Sequence, residues 1–348
     1  MAGLAFAWGL FALLAGGDFT SLGNTRLMLL QTAVVGTAAV GATIIIISGG
    51  IDLSVGSTIA LGTVVAALLL QAGFPPAVAA AGALGVSLLV GASIGAFVIG
   101  HAGRIAALAV AALMGVTVGG SAGPVAGILA ALAAATFLWT AAGRWLPKLE
   151  LVPFVVTLAL WGTLRGLAKG LADNQGVYPE TTGWLGDLMV SGNSGLAPGV
   201  WILFLIAAAF AGLLRWTPLG RHFFAVGSNE ETARLCGVRV ERVKVLAYVL
   251  GVGCAGIAAL LQFSFLSMGD PTTAEGYELR VIAAVVIGGA SLSGGEGSIL
   301  GTLIGALIMV VVDNGCTQMG LENWIQDVVT GAIILAAVLV DRARRLRA

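Results

Sequence analysis

The chain has 348 residues, of which 58% are apolar and only 10% are charged, whereas soluble globular proteins carry about 25% charged residues. Seventeen Lys and Arg residues balance seventeen Asp and Glu residues, so the composition lacks the basic excess that a nucleic-acid binder needs. With a mean hydropathy of +1.02, these values exclude a soluble enzyme, a disordered chain and nucleic-acid binding. They predict an all-α, polytopic membrane protein.

Twelve apolar segments are found in chain order, and the first precedes the first charged residue, Asp18. Because this segment lacks a basic flank, we expect a short first span rather than a cleaved signal peptide. The segments occupy residues 3–16, 27–47, 53–72, 77–100, 105–120, 124–142, 151–168, 199–214, 245–266, 281–290, 298–312 and 324–340. We therefore expect about 10–12 spans.

The segment 281–290 is too short to cross a bilayer about 30 Å thick at about 1.5 Å per residue. Together with 298–312 it flanks a glycine-rich stretch, residues 291–297. Irregular backbone at membrane depth must be satisfied by protein or by a water-filled cavity. We therefore predict a broken or re-entrant pair of helices here.

Lys and Arg residues are concentrated in particular loops, which predicts the orientation of the chain. The connection 215–244 carries six of them and the C-terminal tail carries four, whereas 170–198 and 267–279 each carry three acidic residues and no base. Asp313 and Glu322 are read as marking a third acidic loop. We expect the basic segments and both termini to lie in the cytoplasm and the acidic loops to lie outside.

Two of the glycine-rich segments share a short internal sequence similarity, which we call the echo. Gly49–Ser54 has the sequence GGIDLS, and Gly288–Ser293 repeats it as GGASLS at an offset of 239 residues. Internal repeats whose interface forms the substrate path are common in transporters. The echo therefore predicts an internal repeat.

Asp52 lies where one apolar span ends and the next begins, within Ser48–Ser57. A carboxylate at the start of a helix can cap it, and a carboxylate at a break within the membrane can also line a path. Both roles remain open at this point. Our candidates for the substrate path are Asp52, Ser54, Ser291, Ser293 and Asn314.

A second informative motif, Gly227–Gly237, lies inside the basic connection 215–244. Glu231, Ala233 and Gly237 fit the EAA-x3-G pattern of ATP-binding-cassette (ABC) permeases, with Thr232 in place of the second Ala. That pattern marks a short helix that docks on the ATPase subunit, and its glycine turns the chain back. The coupling candidates are Glu231, Ala233, Arg234 and Gly237. A solvated, merely topogenic connector is the alternative.

Motifs for catalysis in this chain itself are missing from the sequence. No G-x-x-x-x-G-K-[ST] or H-E-x-x-H pattern occurs, so neither a nucleotide-phosphate cradle nor a zinc protease site is expected. Most charges fall at loops or span ends, which weakens the case for an ion-coupled carrier. We therefore expect no catalytic, cofactor-binding or metal-binding residues and no cofactor.

Taken together, the motifs resemble the monosaccharide-type (ribose/xylose/arabinose) permeases of bacterial ABC importers. The resemblance covers more than half of the chain in family order. It rests on Gln31–Ser57, Pro153–Leu158, Arg165–Ala168, Gly227–Gly237, Gly276–Leu279, Ile282–Gly294 and Gly297–Thr302.

The resemblance implies a membrane subunit that translocates a monosaccharide or related polyol across the bacterial inner membrane by alternating access. It also implies a separate P-loop ATPase subunit, an extracytoplasmic sugar-binding protein and a second permease chain, identical or different. We expect one permease domain over 1–348, with 101–150 as a two-span insertion and 215–244 as the coupling loop. The alternatives are an ABC permease for branched-chain amino acids or nucleosides, and an ion-coupled secondary transporter.

Overall fold

The computed structural model describes residues 2–101, 149–191 and 195–345, with seven isolated positions between 103 and 137. Over these ranges the chain is helical, with two isolated β-bridges and no β-strand. The helices are α1 Ala2–Leu14, α2 Leu22–Ile47, α3 Val55–Gln71, α4 Pro76–Val98, α5 Pro153–Leu171, α6 Pro198–Trp216, α7 Pro218–Ser228, α8 Glu230–Leu235, α9 Val240–Leu266, α10 Tyr277–Ile287, α11 Ile299–Gln318 and α12 Asn323–Arg345. A 3-10 helix covers Gly183–Met189.

Six of these helices, α2, α4, α5, α6, α9 and α11, are long and apolar enough to cross a membrane. Shorter apolar helices occupy Gly3–Leu14, Val55–Gln71 and Trp324–Ala336. The predicted all-α, polytopic fold is therefore confirmed for the described part of the chain. The expected spans at 105–120 and 124–142, and with them the expected insertion 101–150, lie almost entirely outside the described residues.

Several helices extend beyond the apolar segments that predicted them. Helix α2 begins at Leu22, where the Ser21 hydroxyl accepts a hydrogen bond from the Asn24 amide at 3.2 Å. Helix α11 continues to Gln318, so Asp313 lies inside a helix. Reading Asp313 as part of an acidic loop is wrong, because helix formation does not stop where apolar composition stops. The polar turn after α11 is only residues 319–322.

The prediction of a broken or re-entrant pair of helices at 281–290 and 298–312 is right for the first helix only. Helix α10 has 11 residues and spans about 17 Å at 1.5 Å per residue, too short to cross a bilayer. Its partner α11 has 20 residues and is long enough. A second discontinuity lies between α2 and α3 at residues 48–54, where the sequence predicts that one apolar span ends and the next begins.

One order of elements occurs twice: a long helix, a non-helical break, a shorter helix and a second long helix. The first set is α2, residues 48–54, α3 and α4; the second is α9, residues 267–276, α10 and α11. The two sets run in opposite directions, since Gly41 of α2 packs on Cys254 of α9 while Gly50 packs on Tyr248. This arrangement is an inverted repeat of the kind found in transporters.

The sequence echo does not correspond to this repeat. Gly49–Ser54 joins a long helix to a shorter one, whereas Gly288–Ser293 follows the short helix α10 and precedes α11. The structural counterpart of residues 48–54 is instead the break 267–276. Residues that flank the two echo segments nevertheless lie side by side, because the Gly295 amide donates to the Ile47 carbonyl at 2.8 Å.

Helix α9 is the central element of the bundle and packs against α2, α3 and α4. Close approach depends on glycine: the Gly251 carbonyl occupies the position that a Cβ at Gly41 would need, and the Tyr248 carbonyl does the same at Gly91. Small residues allow such backbone contacts between helices in lipid. The buried face of α9 extends over most of its length, from Val240 to Ser264.

Candidate functional site

The basic connection between α6 and α9 is helical for most of its length. Helix α7 is followed directly by the six-residue α8, whose N-cap Asn229 accepts the Thr232 amide through its side-chain oxygen at 2.8 Å. Gly237 has φ +84°, and the Val238 amide donates to the Ala233 carbonyl at 3.0 Å. This is the glycine-terminated helix end that the motif predicts.

Two of the predicted coupling residues are used inside this chain. Ala233 is 4% exposed and packs in a cluster with Phe223 and Val240, so its small size serves intramolecular packing rather than a direct contact with a partner. Arg234 forms ion pairs with Glu241 at 2.7 Å and Glu230 at 3.4 Å. The hydrogen bond to Glu241 raises the pKa of Arg234, and the pairs hold α8 against the start of α9.

The free surface of α8 lies elsewhere. Leu235 is 88% exposed, and Glu231, four residues earlier and therefore on the same helical face, is also exposed. Cys236 is exposed beside them. Glu231 is one of the residues that the sequence motif predicts, whereas Leu235 occupies one of the unspecified positions of the EAA-x3-G pattern. A large apolar residue in a short polar helix is the signal that could have indicated it.

Asp52 is 4% exposed and lies in the break before α3. Its Oδ1 atom accepts from the Ser54 amide at 2.8 Å and from the Ser54 hydroxyl at 2.6 Å. Ser54 is the N-cap residue of α3 but makes no side-chain cap itself. Asp52 therefore orders the turn that starts α3, while its Oδ2 atom has no partner.

The other predicted path residues lie in different places. Ser291 is fully buried, and its hydroxyl accepts the Ser293 amide at 3.2 Å. Ser293 lines a cavity of about 300 Å³ together with Gly50, Lys244 and Tyr248. The structure does not bring Asn314 to this region.

Asn314 pairs with Asn24 through two reciprocal amide hydrogen bonds of 2.8 and 2.9 Å. Asn314 lies near the far end of α11, whereas Ser298, whose hydroxyl accepts the Gly301 amide, marks the start of that helix near the cavity. Helices α2 and α11 are joined at their other ends by the Thr43–Thr302 hydroxyl bond of 2.7 Å. Asn314 therefore has a helix-pairing role in this structure.

Gly227 connects the α7–α8 segment to both glycine-rich echo segments. A Cβ at Gly227 would collide with the Ile47 carbonyl and lie 2.7 Å from the Gly295 amide nitrogen. The last turn of α7 is therefore in backbone contact with the end of α2 and with the 288–298 loop. A movement of α8 would reach both segments through this contact.

Within the described part of the chain, seven buried side-chain atoms lack a hydrogen-bond partner, and six of them belong to residues around α3. Those six residues are Asp52, Thr58, Trp161, Arg165, Tyr248 and Glu278. A charged residue inside an apolar span is the signal that could have identified Arg165 from the sequence. Glu278 was counted as a loop residue, but it lies in the first turn of α10.

Comparison with known proteins identifies the kind of molecule. Residues 24–338 match the family model described as Branched-chain amino acid transport system / permease component. The chain belongs to this permease family.

Curated relatives agree with the family assignment over nearly the whole permease. This chain is 34% identical to the ribose import permease protein RbsC of Escherichia coli (strain K12), over 94% of this chain and 88% of that protein. It is 33% identical to RbsC of Bacillus subtilis (strain 168), covering 92% and 85%. The L-arabinose transport system permease protein AraH of Escherichia coli (strain K12) is 38% identical over 58% of this chain and 61% of that protein. No solved structure matches the permease significantly.

Proposed function

We propose that this permease is the membrane subunit of an ABC importer for a monosaccharide or related polyol. The observation that carries the proposal is the 34% identity to a ribose import permease over 94% of this chain. The family description names branched-chain amino acids, so an amino acid permease is the principal alternative. The similarity to AraH, 38% over 200 residues, favours a sugar.

Three partners belong to this proposal. A separate P-loop ATPase supplies the free energy, because the chain contains no Walker motif. An extracytoplasmic binding protein delivers the sugar, and a second permease chain, identical or different, completes the transporter. The exposed Glu231–Leu235 face of α8 is the proposed ATPase contact, with Ala233, Arg234 and Gly237 shaping that helix.

The orientation is proposed from charge. The connection between α6 and α9 and the C-terminal end of α12 carry the clustered bases, so they face the cytoplasm, as does the N-terminus. In that orientation the cavity of about 300 Å³ beside Ser293 and Lys244 lies at the cytoplasmic end of the bundle. Asp52 and Ser293 are the proposed path-lining residues, supported by Ser54 and Ser291. Asn314 remains a candidate at the opposite end of α11.

The decisive experiment is transport in proteoliposomes that contain the permease with its ATPase and binding protein. We expect uptake of ¹⁴C-labelled D-ribose or L-arabinose that requires ATP and persists when ionophores collapse the ion gradients. Uptake of ¹⁴C-labelled L-leucine in place of either sugar would support the amino acid alternative. Uptake abolished by ionophores with ATP present would instead indicate a secondary transporter.

A further inference from the structure

The first turn of α3 lies near the middle of the helix bundle. Helices α3 and α9 run in the same direction, because Ala259 packs on Gly62, and Gly269, just beyond the end of α9, packs on Ala67. The first turn of α3 is six residues before Gly62 and is therefore level with the midpoint of α9. In membrane transporters, substrate sites occur near this depth, where discontinuous helices begin.

The first turn of α10 meets the first turn of α3 at this level. The Ala274 carbonyl and the Glu278 carboxylate occupy the space that a side chain at Gly56 would need, the latter 2.6 Å from the Cβ position. The break 267–276 thus brings the start of α10 down beside the start of α3. Two half-helix N-termini, the positive ends of their helix dipoles, therefore adjoin the Glu278 carboxylate.

Helix α5 supplies a cation and an indole to the same place. The Arg165 residue is only 8% exposed, and its Nη1 atom donates to the carbonyls of Pro271 and Thr273 at 3.0 and 2.6 Å, while Nη2 has no partner. Trp161 lies one turn earlier on the same face of α5 and beside the Glu278 carboxylate, yet its Nε1 atom makes no hydrogen bond of normal geometry.

Asp52, Thr58 and Tyr248 complete the cluster. Each is at most 4% exposed, and each has one polar atom without a partner. Asp52 interacts electrostatically with Glu278 and with Tyr248. The Tyr248 hydroxyl lies against Gly50, in the wall of the cavity of about 300 Å³. The cluster therefore extends from the middle of the bundle to that cavity.

The types of unpaired atom restrict what could bind. Arg165 and Trp161 offer donors, the two carboxylates offer acceptors, and the hydroxyls of Thr58 and Tyr248 offer both. Buried polar atoms cost free energy until they are paired. A cation would be repelled by Arg165 and an anion by Asp52 and Glu278.

The zwitterion of an apolar amino acid carries its hydrogen-bonding atoms at one end, whereas the unpaired atoms are contributed by four helices and the 48–54 break. A neutral solute with several hydroxyl groups, each both a donor and an acceptor, could satisfy the whole set. We infer that Thr58, Trp161, Arg165, Tyr248 and Glu278, with Asp52, form a contact site for a neutral polyhydroxylated solute at the middle of the permease. This inference rests on the proposed function, because it places the transported sugar at these atoms.

The site is closed in this structure, since the six unpaired atoms are inaccessible to solvent. A solute reaches it when α5 and α10 move relative to α3, as alternating access requires. The cavity lined by Tyr248 is the adjoining open volume on one side. A solute that moves from the site into this cavity would next meet the polar side chains of Ser293 and Lys244.

The test compares D-ribose with 2-deoxy-D-ribose, which lacks one hydroxyl, in proteoliposomes containing the whole transporter. Maximal uptake rates of the two ¹⁴C-labelled sugars are measured for wild type, Glu278→Gln and Trp161→Phe. The matched controls are Glu275→Gln, an exposed carboxylate of the same break, and Trp201→Phe, which is 61% exposed on α6. ATPase stimulation by the binding protein identifies variants that still assemble.

We expect the ratio of the two maximal rates to change at least fivefold in Glu278→Gln or Trp161→Phe and to stay within twofold in both controls. A site that hydrogen-bonds a hydroxyl discriminates strongly against the analogue lacking it, whereas a folding defect lowers both rates equally. A change below fivefold in both variants, with wild type transporting ribose, overturns this inference alone and assigns the cluster to structural water. A wild type that transports leucine and neither sugar overturns the proposed function as well.

Discussion

At the scale of single residues, Asp52 divides its two carboxylate oxygens between two roles. Oδ1 accepts both hydrogen bonds from Ser54, and Oδ2 belongs to the unpaired cluster. The two possibilities weighed from the sequence, ordering a helix start and lining a path, are therefore compatible in one side chain.

Two substitutions at Asp52 separate these roles. Asp52→Ala should lower the free energy of unfolding by about 1–3 kcal/mol, because the Ser54 amide and hydroxyl lose their acceptor inside the bundle. Asp52→Asn keeps an acceptor oxygen for Ser54 and should stay within about 1 kcal/mol of wild type. The measurement is thermal unfolding in detergent, paired with sugar uptake per folded molecule. Full uptake by the Asn variant would show that the carboxylate charge is not needed.

At the scale of elements, α8 is a rigid, preformed unit. Its N-cap, its glycine end and the ion pairs of Glu230 with Arg234 and Lys244 are all in place without a partner chain. Exposed ion pairs contribute little stability each, but together they set the direction of the exposed Leu235. A contact residue held in this way loses little conformational entropy when it binds.

Leu235→Ser should weaken the affinity of the permease for the ATPase at least tenfold, which corresponds to about 1.4 kcal/mol of binding free energy. Less ATPase should therefore co-purify, and sugar uptake should fall in proportion. The side chain is 88% exposed, so the variant should unfold at the wild-type temperature. Leu196→Ser, in the connection between α5 and α6, is the control and should retain the ATPase. Ala233→Trp is unsuitable for this purpose because Ala233 is buried in its own chain. If the Leu235→Ser permease retained the ATPase as well as the wild type does, α8 would not be the contact that couples the two subunits.

The two arms of the α10–α11 hairpin are joined by a charge pair inside the bundle. Arg280 of α10 binds Asp313 of α11 at 2.9 Å, and each side chain is about one quarter exposed. Breaking such a pair leaves one charge unpaired, whereas replacing both charges by apolar residues is often neutral.

Arg280→Leu should therefore lower the free energy of unfolding by about 2–4 kcal/mol, and the double variant Arg280→Leu, Asp313→Leu should recover most of that loss. Thermal unfolding of the purified permease measures both values. Simple addition of the two single effects in the double variant would show that the pair does not act as a unit.

At the scale of the whole molecule, the inverted repeat explains why two half-helices begin at one level. The sets α2–α4 and α9–α11 run in opposite directions, so their breaks approach the middle of the bundle from opposite ends. Each break ends at a shorter helix, α3 or α10, and polar groups collect where these helices begin. The extra elements α5 and α7–α8 contribute, respectively, Arg165 to that meeting point and the contact at Gly227.

The orientation of the whole molecule can be tested with the native cysteines in place. Cys236 is exposed and Cys254 and Cys316 are buried, so one native site should react with an impermeant maleimide. In right-side-out vesicles, we expect a cysteine introduced by Glu180→Cys to react at once and Cys236 to react only after permeabilisation. Immediate labelling of Cys236 would reverse the proposed topology.

Composition and local sequence pattern were sufficient to predict much of the structure of this protein. The membrane class, most helix positions and the glycine end of α8 depend on hydropathy and on the backbone preferences of a few adjacent residues, so they can be predicted without a fold. The short length of α10 is a local property of the same kind. The helix ends were less accurate, as at Leu22 and Gln318, because a helix continues through polar residues that its neighbours can accept.

Only the tertiary structure decided which polar groups are paired. Asn314 finds its partner 290 residues away, and Ala233 is buried by α7 and α9. Arg165 is held by carbonyls more than 100 residues later in the chain, beside Glu278. These pairings depend on how distant segments pack, which local sequence does not encode. For the same reason, the unpaired atoms around α3 could be identified only after the helices had been placed against one another.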